Sequence, residues 1–397
     1  MQRVSARTSP YPVMSTFRSL ALWTWPLLML ALAGSLRGDS LDRWTPVASG
    51  LTSTLRGAAC GNGQFIAVGE GAVALRSTNA LNWTASTLPG VFSLHGVAFG
   101  QGRFVAVGAN GVILATTNGS VWTALTSGTT AGLRAVAFTS LGWVAAGENG
   151  TLLTSGDGTT WVKRTVATTT SFAGVGGGLD RAFAGTAGNA PSLFQTSNGS
   201  SWSSLAGASA ATPPELFNGP IVFGDGVLVG VAARGDFYWS LDATNWTQVT
   251  SPFPYCFGLA FARHTFVTVG GNFSSGGRVI GTSADGATWT PRYSQPAEGR
   301  LLAVAYGRHR FVAVGDEGAI LVSDPMLWMG RPVVSGKNLV VSFYGDATET
   351  YHLQRSSLLT APQWEEVAVY SRVGEPATLT LPLGSETTSY FFRVLGD

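Results

Sequence analysis

Eight tryptophans mark out this chain like a ruler. Trp44, Trp83, Trp122, Trp161, Trp202, Trp246, Trp289 and Trp328 follow one another at spacings of 39, 39, 39, 41, 44, 43 and 39 residues. A chain that repeats itself at this interval buries the same side chains again and again, and a unit of about forty residues has too little surface to bury them alone. One copy, Leu94 to Gly132, reads LHGVAFGQGRFVAVGANGVILATTNGSVWTALTSGTTAG. Its apolar runs are short: Gly96 to Phe99, Phe104 to Val107, Val112 to Thr116, and a last one opened by Trp122. Between the third and fourth stands Asn118-Gly119, a pair suited to the positive φ of a tight hairpin.

Four strands in a period near forty predict a β-propeller. The second strands, such as Phe65-Ile66-Ala67-Val68 and Phe311-Val312-Ala313-Val314, are continuously apolar where a half-solvated strand would alternate. Both faces of each sheet should therefore be covered by neighbours, as in a ring. First strands begin near Arg56, His95, Arg134, Ala173, Gly219, Phe257 and Leu302, which makes seven. The fourth strands outnumber them by one, and the surplus at Arg43 to Val47 is expected to complete the blade made by Leu301 to Ser323, closing the ring and removing an open edge. The expected fold class is all-β: a seven-bladed β-propeller over 34–328, then a small β-sandwich-like domain over 329–397.

The turn before each tryptophan carries a family resemblance. Ser155-Gly156-Asp157-Gly158-Thr159-Thr160-Trp161 and Ser283-Ala284-Asp285-Gly286-Ala287-Thr288-Trp289 resemble the Asp-box, or BNR, repeat of sialidases and of photosystem II stability and assembly factor propellers. Weaker copies end at Trp83, Trp122, Trp202 and Trp246. The usual box has one more residue between Asp and Gly, and several copies here carry Asn in place of Asp. The resemblance implies a sialidase-like propeller architecture and no particular chemistry, because the box braces a hairpin in families with unrelated activities. Asp157, Trp161, Asp285 and Trp289 are accordingly read as structural, the short carboxylates accepting backbone N–H bonds in the turn.

The flanks add context. Arg3, Arg7 and Arg18 lead into the apolar stretch Leu20 to Ala33, which ends in Ala31-Leu32-Ala33. This reads as a signal peptide over 1–33, shorter than the ~20 apolar residues of a membrane anchor, and places the protein outside the cytoplasm: secreted, periplasmic or at the cell surface. Without that segment 21 basic and 22 acidic residues remain. Nothing clusters the positive charge, so nucleic acid is not an expected partner, nor is a membrane span after signal removal, and the chain reads as a monomer. Cys60 and Cys256 fall at core-like repeat positions in non-neighbouring repeats and are read as buried thiols. At the C-terminus Tyr351-His352-Leu353-Gln354-Arg355-Ser356-Ser357, Trp364 and Tyr390-Phe391-Phe392-Arg393-Val394 resemble a fibronectin type III-like module.

Candidate chemistry gathers where first strands begin. Arg56, His95 and Arg134 occupy equivalent positions in three successive repeats, with Glu70, Asn110 and Glu148 in the adjacent second-to-third strand loops and Asp316 and Glu317 on the last repeat. In a ring the three converge, and together they could hold a carboxylate or sulfate by charge-assisted bonds. The plain alternative pairs Arg56 with Glu70 and Arg134 with Glu148 as rim ion pairs worth roughly 0 to 1 kcal/mol. Catalysis by a sialidase-like glycoside hydrolase would need a tyrosine nucleophile beside a glutamate and two carboxylates across the bond. Tyr238, Tyr255, Tyr293 and Tyr306 show no such setting in the sequence. His264 and His309, flanked by Arg263, Arg308 and Arg310, read as a solvated basic patch without metal-ligand spacing. No cofactor and no metal are expected. The reading is a non-enzymatic binding or assembly module for a protein or carbohydrate ligand, with the sialidase-like hydrolase as the alternative.

Overall fold

Each repeat folds as an antiparallel meander whose strand order follows the chain. In a computed structural model, which describes residues 40–187, 193–205, 217–232, 235–272, 276–296, 298–326 and the strands and short segments at 328–329, 333–335, 338–344, 350–356, 363–371, 377–382 and 391–396, Leu94–Gly100 pairs with Arg103–Gly108, which pairs with Ile113–Thr116, which pairs with Thr123–Leu125. The repeats that open with Leu55–Gly61, Leu133–Thr139 and Cys256–Ala262 fold the same way. Those opening with Phe172–Gly178 and Phe217–Gly224 are also meanders, joined into one eight-stranded sheet by a parallel bridge between Gly176 and Ile221. The segment expected to be a signal peptide, 1–33, lies outside the described residues.

The remaining sheet is composite. Leu301–Gly307, Arg310–Gly315 and Ile320–Ser323 supply three strands, and Trp44–Val47 from the other end of the chain supplies the fourth, with Trp44 opposite Ser323. Trp44 donates its indole N–H to the Leu41 carbonyl at 2.9 Å, the bond that Trp83 makes to Ala80 and Trp289 to Gly286 in internal repeats. The first strands touch in a cycle, each against the next and the last against the first. They line a central channel.

Packing explains the apolar second strands. Ile66 and Val68 point into one cluster with Leu94, Phe104 and Ala106 of the following repeat, while Phe65 and Ala67 point into another with Val312 and Val314 of the preceding one. Alternation is still present, but each face meets a neighbour in place of water, so every residue of Gln64–Gly69 is buried. Burial of each such Val, Ile or Phe contributes about 1.5–3 kcal/mol, and none of it is available to an isolated repeat.

Trp328 keeps the period but leaves the ring: it pairs with Tyr344 in a sheet with Val333–Ser335, Asn338–Tyr344 and Ala377–Pro382. A second sheet holds Thr350–Ser356, Glu365–Ser371 and Phe391–Gly396. The eighth tryptophan is thus not a blade residue, and the surplus fourth strand is the N-terminal one. Tyr390, part of the expected C-terminal pattern, lies outside the described residues.

Deleting residues 34–50 removes Trp44–Val47 and bares the third strand of the composite sheet. A melting temperature lowered by several degrees, with aggregation on heating, is the expected outcome in a calorimetric scan. An unchanged melt would contradict closure by this strand.

Candidate functional site

The two ends of the channel are built by different local devices. At one end lies the turn before each tryptophan. Asp157 Oδ1 accepts the N–H groups of Thr159 and Thr160, both at 2.8 Å, and the Ser155 hydroxyl at 2.9 Å. Asp285 Oδ1 does the same with Ala287, Thr288 and Ser283. Asn118 and Asn198 make these bonds with an uncharged amide oxygen. What the position supplies is an acceptor, and its charge is dispensable. The next residue is left-handed in each copy: Gly119, Gly158 and Gly286 have φ near 70°, where glycine is unstrained, while Ala80 and Ala243 hold φ of 66° and 63° in the same place.

Hydrogen bonding holds Asp157 and Asp242 well below the ordinary carboxylate range and lowers Asp285 as well. At Asp157 the Thr159 hydroxyl acts most, followed by the N–H groups of Thr160 and Thr159. At Asp242 it is the N–H and then the side-chain amide of Asn245. At Asp285 burial opposes the charge, and the Thr288 and Ala287 N–H groups outweigh it. All of this is turn chemistry. Trp289 is buried and stacks on Phe237 at 4.0 Å, whereas Trp161 is only half-buried.

At the other end, each first strand carries a β-bulge one residue from its start. The register slips between Leu55 and Gly57, Leu94 and Gly96, Leu133 and Ala135, Phe172 and Gly174, Cys256 and Gly258, and Leu301 and Ala303. The extra residues are Arg56, His95, Arg134, Ala173, Phe257 and Leu302. A bulge re-aims its residue out of the pleat, and here all six line the channel. In the fifth repeat the slip spans Phe217 to Ile221, and Gly219, the position expected from sequence, lines the channel together with Pro220.

The end of the second strand pins this geometry. Glu70, Ala109, Glu148 and Asp316 each donate their N–H to the carbonyl just before the first strand of their own repeat, at 2.8–3.0 Å. The preceding glycine allows the approach: a Cβ on Gly69, Gly108, Gly147 or Gly315 would lie about 2 Å from that carbonyl oxygen. Glu70 is thereby set beside Arg56, and Glu148 beside Arg134. The Arg56 Nε–H reaches Glu70 Oε1 at 2.8 Å, and an Arg134 guanidinium N–H reaches Glu148 Oε1 at 3.3 Å. Glu148 also accepts the Gly132 N–H at 3.2 Å. His95 stands between the pairs, its Nδ1 2.9 Å from the Leu133 carbonyl of the next repeat. A carbonyl only accepts, so Nδ1 carries a proton and the neutral ring presents Nε2 as an acceptor.

The structure therefore brings Arg56, His95, Arg134, Glu70 and Glu148 to one mouth, with the arginines blade-paired. Sequence reasoning missed the facing arc of Ala173, Phe257 and Leu302, although the aligned repeat column contained it. The cavity between the arcs measures about 270 Å³. Arg300 lies over the Phe257 ring at 5.8 Å and bonds Asp316 at 2.7 Å.

Other candidates lie elsewhere. His264 bonds Asp225 at 2.8 Å, and Arg263 bonds the Tyr306 hydroxyl at 3.0 Å. Burial, then Arg263 and Arg308, lower the His309 pKa. Tyr293 does neighbour Glu298 and Arg278, but burial and Glu298 push its hydroxyl pKa up, opposite to an activated nucleophile. Burial pushes the Cys60 thiol up to about 11 and the Cys256 thiol up to about 12, and both are free.

A closed ring of four-stranded antiparallel meanders around a channel defines a β-propeller. The chain is similar in fold to YCF48 from Cyanidioschyzon merolae, with a TM-score of 0.53 and 16% identity over 70% of this chain and 98% of the other. It is also similar to the WD40 β-propeller domain of Doa1, with 0.55 and 9% over 70% and 94%. A third likeness is to a catalytically inactive virginiamycin B lyase from Staphylococcus aureus with quinupristin, with 0.60 and 11% over 71% and 99%. No protein-family model and no curated protein sequence matches the chain.

Two outcomes follow for the turns. At neutral pH Asp157→Asn, which keeps the acceptor and loses the charge, should lower the melting temperature less than Asp157→Ala, and Trp289→Ala should cost about 3–5 kcal/mol by denaturant titration. The depressed folded pKa values contribute stability present above the unfolded aspartate value, about 3.9, and lost as pH falls through the folded ones. Replacing Asp157, Asp242 and Asp285 together by Asn should flatten the loss of stability below about pH 4; an equally steep loss would show that these turns do not titrate as described.

Proposed function

We propose that the protein is an exported, non-enzymatic, seven-bladed propeller of the Asp-box type that binds a protein or glycan ligand at one channel mouth. Arg56, His95 and Arg134, with Glu70 and Glu148, form the binding rim. The C-terminal strands act as a fibronectin type III-like accessory module. The observation that carries this reading is the placement of three polar bulge residues on three successive blades, beside carboxylates fixed by the same backbone bond. Bulges that serve only ring closure place no demand on side-chain polarity, as Ala173 and Leu302 illustrate.

Support for binding over turnover comes from the same geometry. The box carboxylates are spent on backbone N–H groups in exposed turns at the opposite end. Tyr293, with its raised pKa, sits on an outer strand away from the rim.

A fluorogenic sialoside assay run beside a glycan array tests the proposal. Saturable binding without turnover is expected, lost at least about tenfold in the Arg56→Ala, Arg134→Ala double variant at unchanged melting temperature. Turnover abolished by a Tyr293 substitution would establish the hydrolase in its place.

A further inference from the structure

The rim has two chemically distinct arcs, and together they select a ligand. On three consecutive blades stand Arg56, His95 and Arg134; Ala173, Phe257 and Leu302 line the rest. The guanidinium charges are matched by Glu70 and Glu148 in pairs whose side chains are 41–44% exposed. From these observations we infer that the channel mouth takes a neutral pyranose, the terminal sugar of an uncharged glycan; this rests on the binding-rim reading above and narrows it.

The argument runs through charge first. An anionic sugar that approaches Arg56 or Arg134 also approaches Glu70 or Glu148, so attraction and repulsion nearly cancel in water-exposed surroundings. An ammonium group meets the same cancellation with the signs reversed. A hydroxyl group both donates and accepts, and an arginine–carboxylate pair offers it N–H donors and an acceptor oxygen side by side. His95 adds Nε2 as a further acceptor, since Nδ1 is committed to Leu133.

Shape and apolarity complete the match. A pyranose carries hydroxyls around its edge and a C–H face, and that face is removed from water most favourably against an aromatic or aliphatic surface such as Phe257 and Leu302. At roughly 30 Å³ per water molecule, a cavity of about 270 Å³ displaces about nine waters, which suits one sugar ring and excludes a folded peptide segment.

Calorimetric titration with methyl glycosides of glucose, galactose and mannose, beside glucuronic and sialic acid, tests the inference. At least one neutral glycoside should bind, with a Kd that changes less than about twofold between about 0.05 and about 0.5 M NaCl. His95→Ala and Phe257→Ala should each weaken it about tenfold. Because Phe257→Ala can disturb folding, a second variant carries independent weight: in Glu70→Gln, Glu148→Gln the arginines lose their counter-charges, and glucuronic or sialic acid should bind at least about tenfold tighter than to wild type, in a salt-sensitive manner. Rim-dependent binding of the acids by wild type, or no binding of any neutral glycoside, would overturn the neutral-sugar inference. Neutral-sugar binding untouched by His95→Ala and Phe257→Ala would instead overturn the rim itself.

Discussion

The whole architecture depends on second strands that have no solvent face. Phe65 and Ala67 belong to one neighbour while Ile66 and Val68 belong to the other, so a repeat is stable only when both neighbours are present. A row of such repeats would always leave two ends uncovered. Closure by Trp44–Val47 removes them by joining the two ends of the propeller chain in one sheet. That join also fixes the channel, because first strands held in a cycle have nowhere to go but inward.

Closure divides the labour between the two ends of the ring. At the box end, turn side chains tie blade to blade: Asn62 donates to the carbonyls of Gly102 and Thr117, Gln101 to Gly156, and Arg308 to Gly63. These bonds rely on backbone acceptors and tolerate different donors. At the other end backbone atoms and a glycine pin the bulge within its own blade, and the fold does not dictate which side chain the bulged residue carries. Variation from Arg to Ala to Phe at one repeat position is the consequence, and it is why a binding specificity can be written there without disturbing the ring.

Much of this was legible in the sequence because it repeats. The period, the strand runs and the equivalence of Arg56, His95 and Arg134 follow from alignment of the chain with itself, and the pairing of Arg56 with Glu70 follows from their fixed separation. The bulges were not legible, since a one-residue slip leaves no compositional mark beyond the glycines at Gly69 and Gly108. Without the bulge the inward aim of Phe257 could not be read from its place at a strand start. Trp328 misled for a related reason: it keeps the spacing of the ruler while its partner, Tyr344, lies in a different sheet. Tyr293 was set aside for want of a neighbouring glutamate, yet Glu298 follows just past its own strand and Arg278 lies on the paired one.

The central claim is that a bulge on one blade aims His95 into the mouth with Nδ1 held by the next blade. Nitrogen-15 NMR of the four histidines tests it most directly, because the two ring nitrogens report tautomer and contact separately. The account predicts that neutral His95 is protonated at Nδ1 and that its Nε2 signal alone shifts on saturation with a bound glycoside. A proton on Nε2 in the free protein, or an Nε2 signal unmoved at saturation, would contradict it.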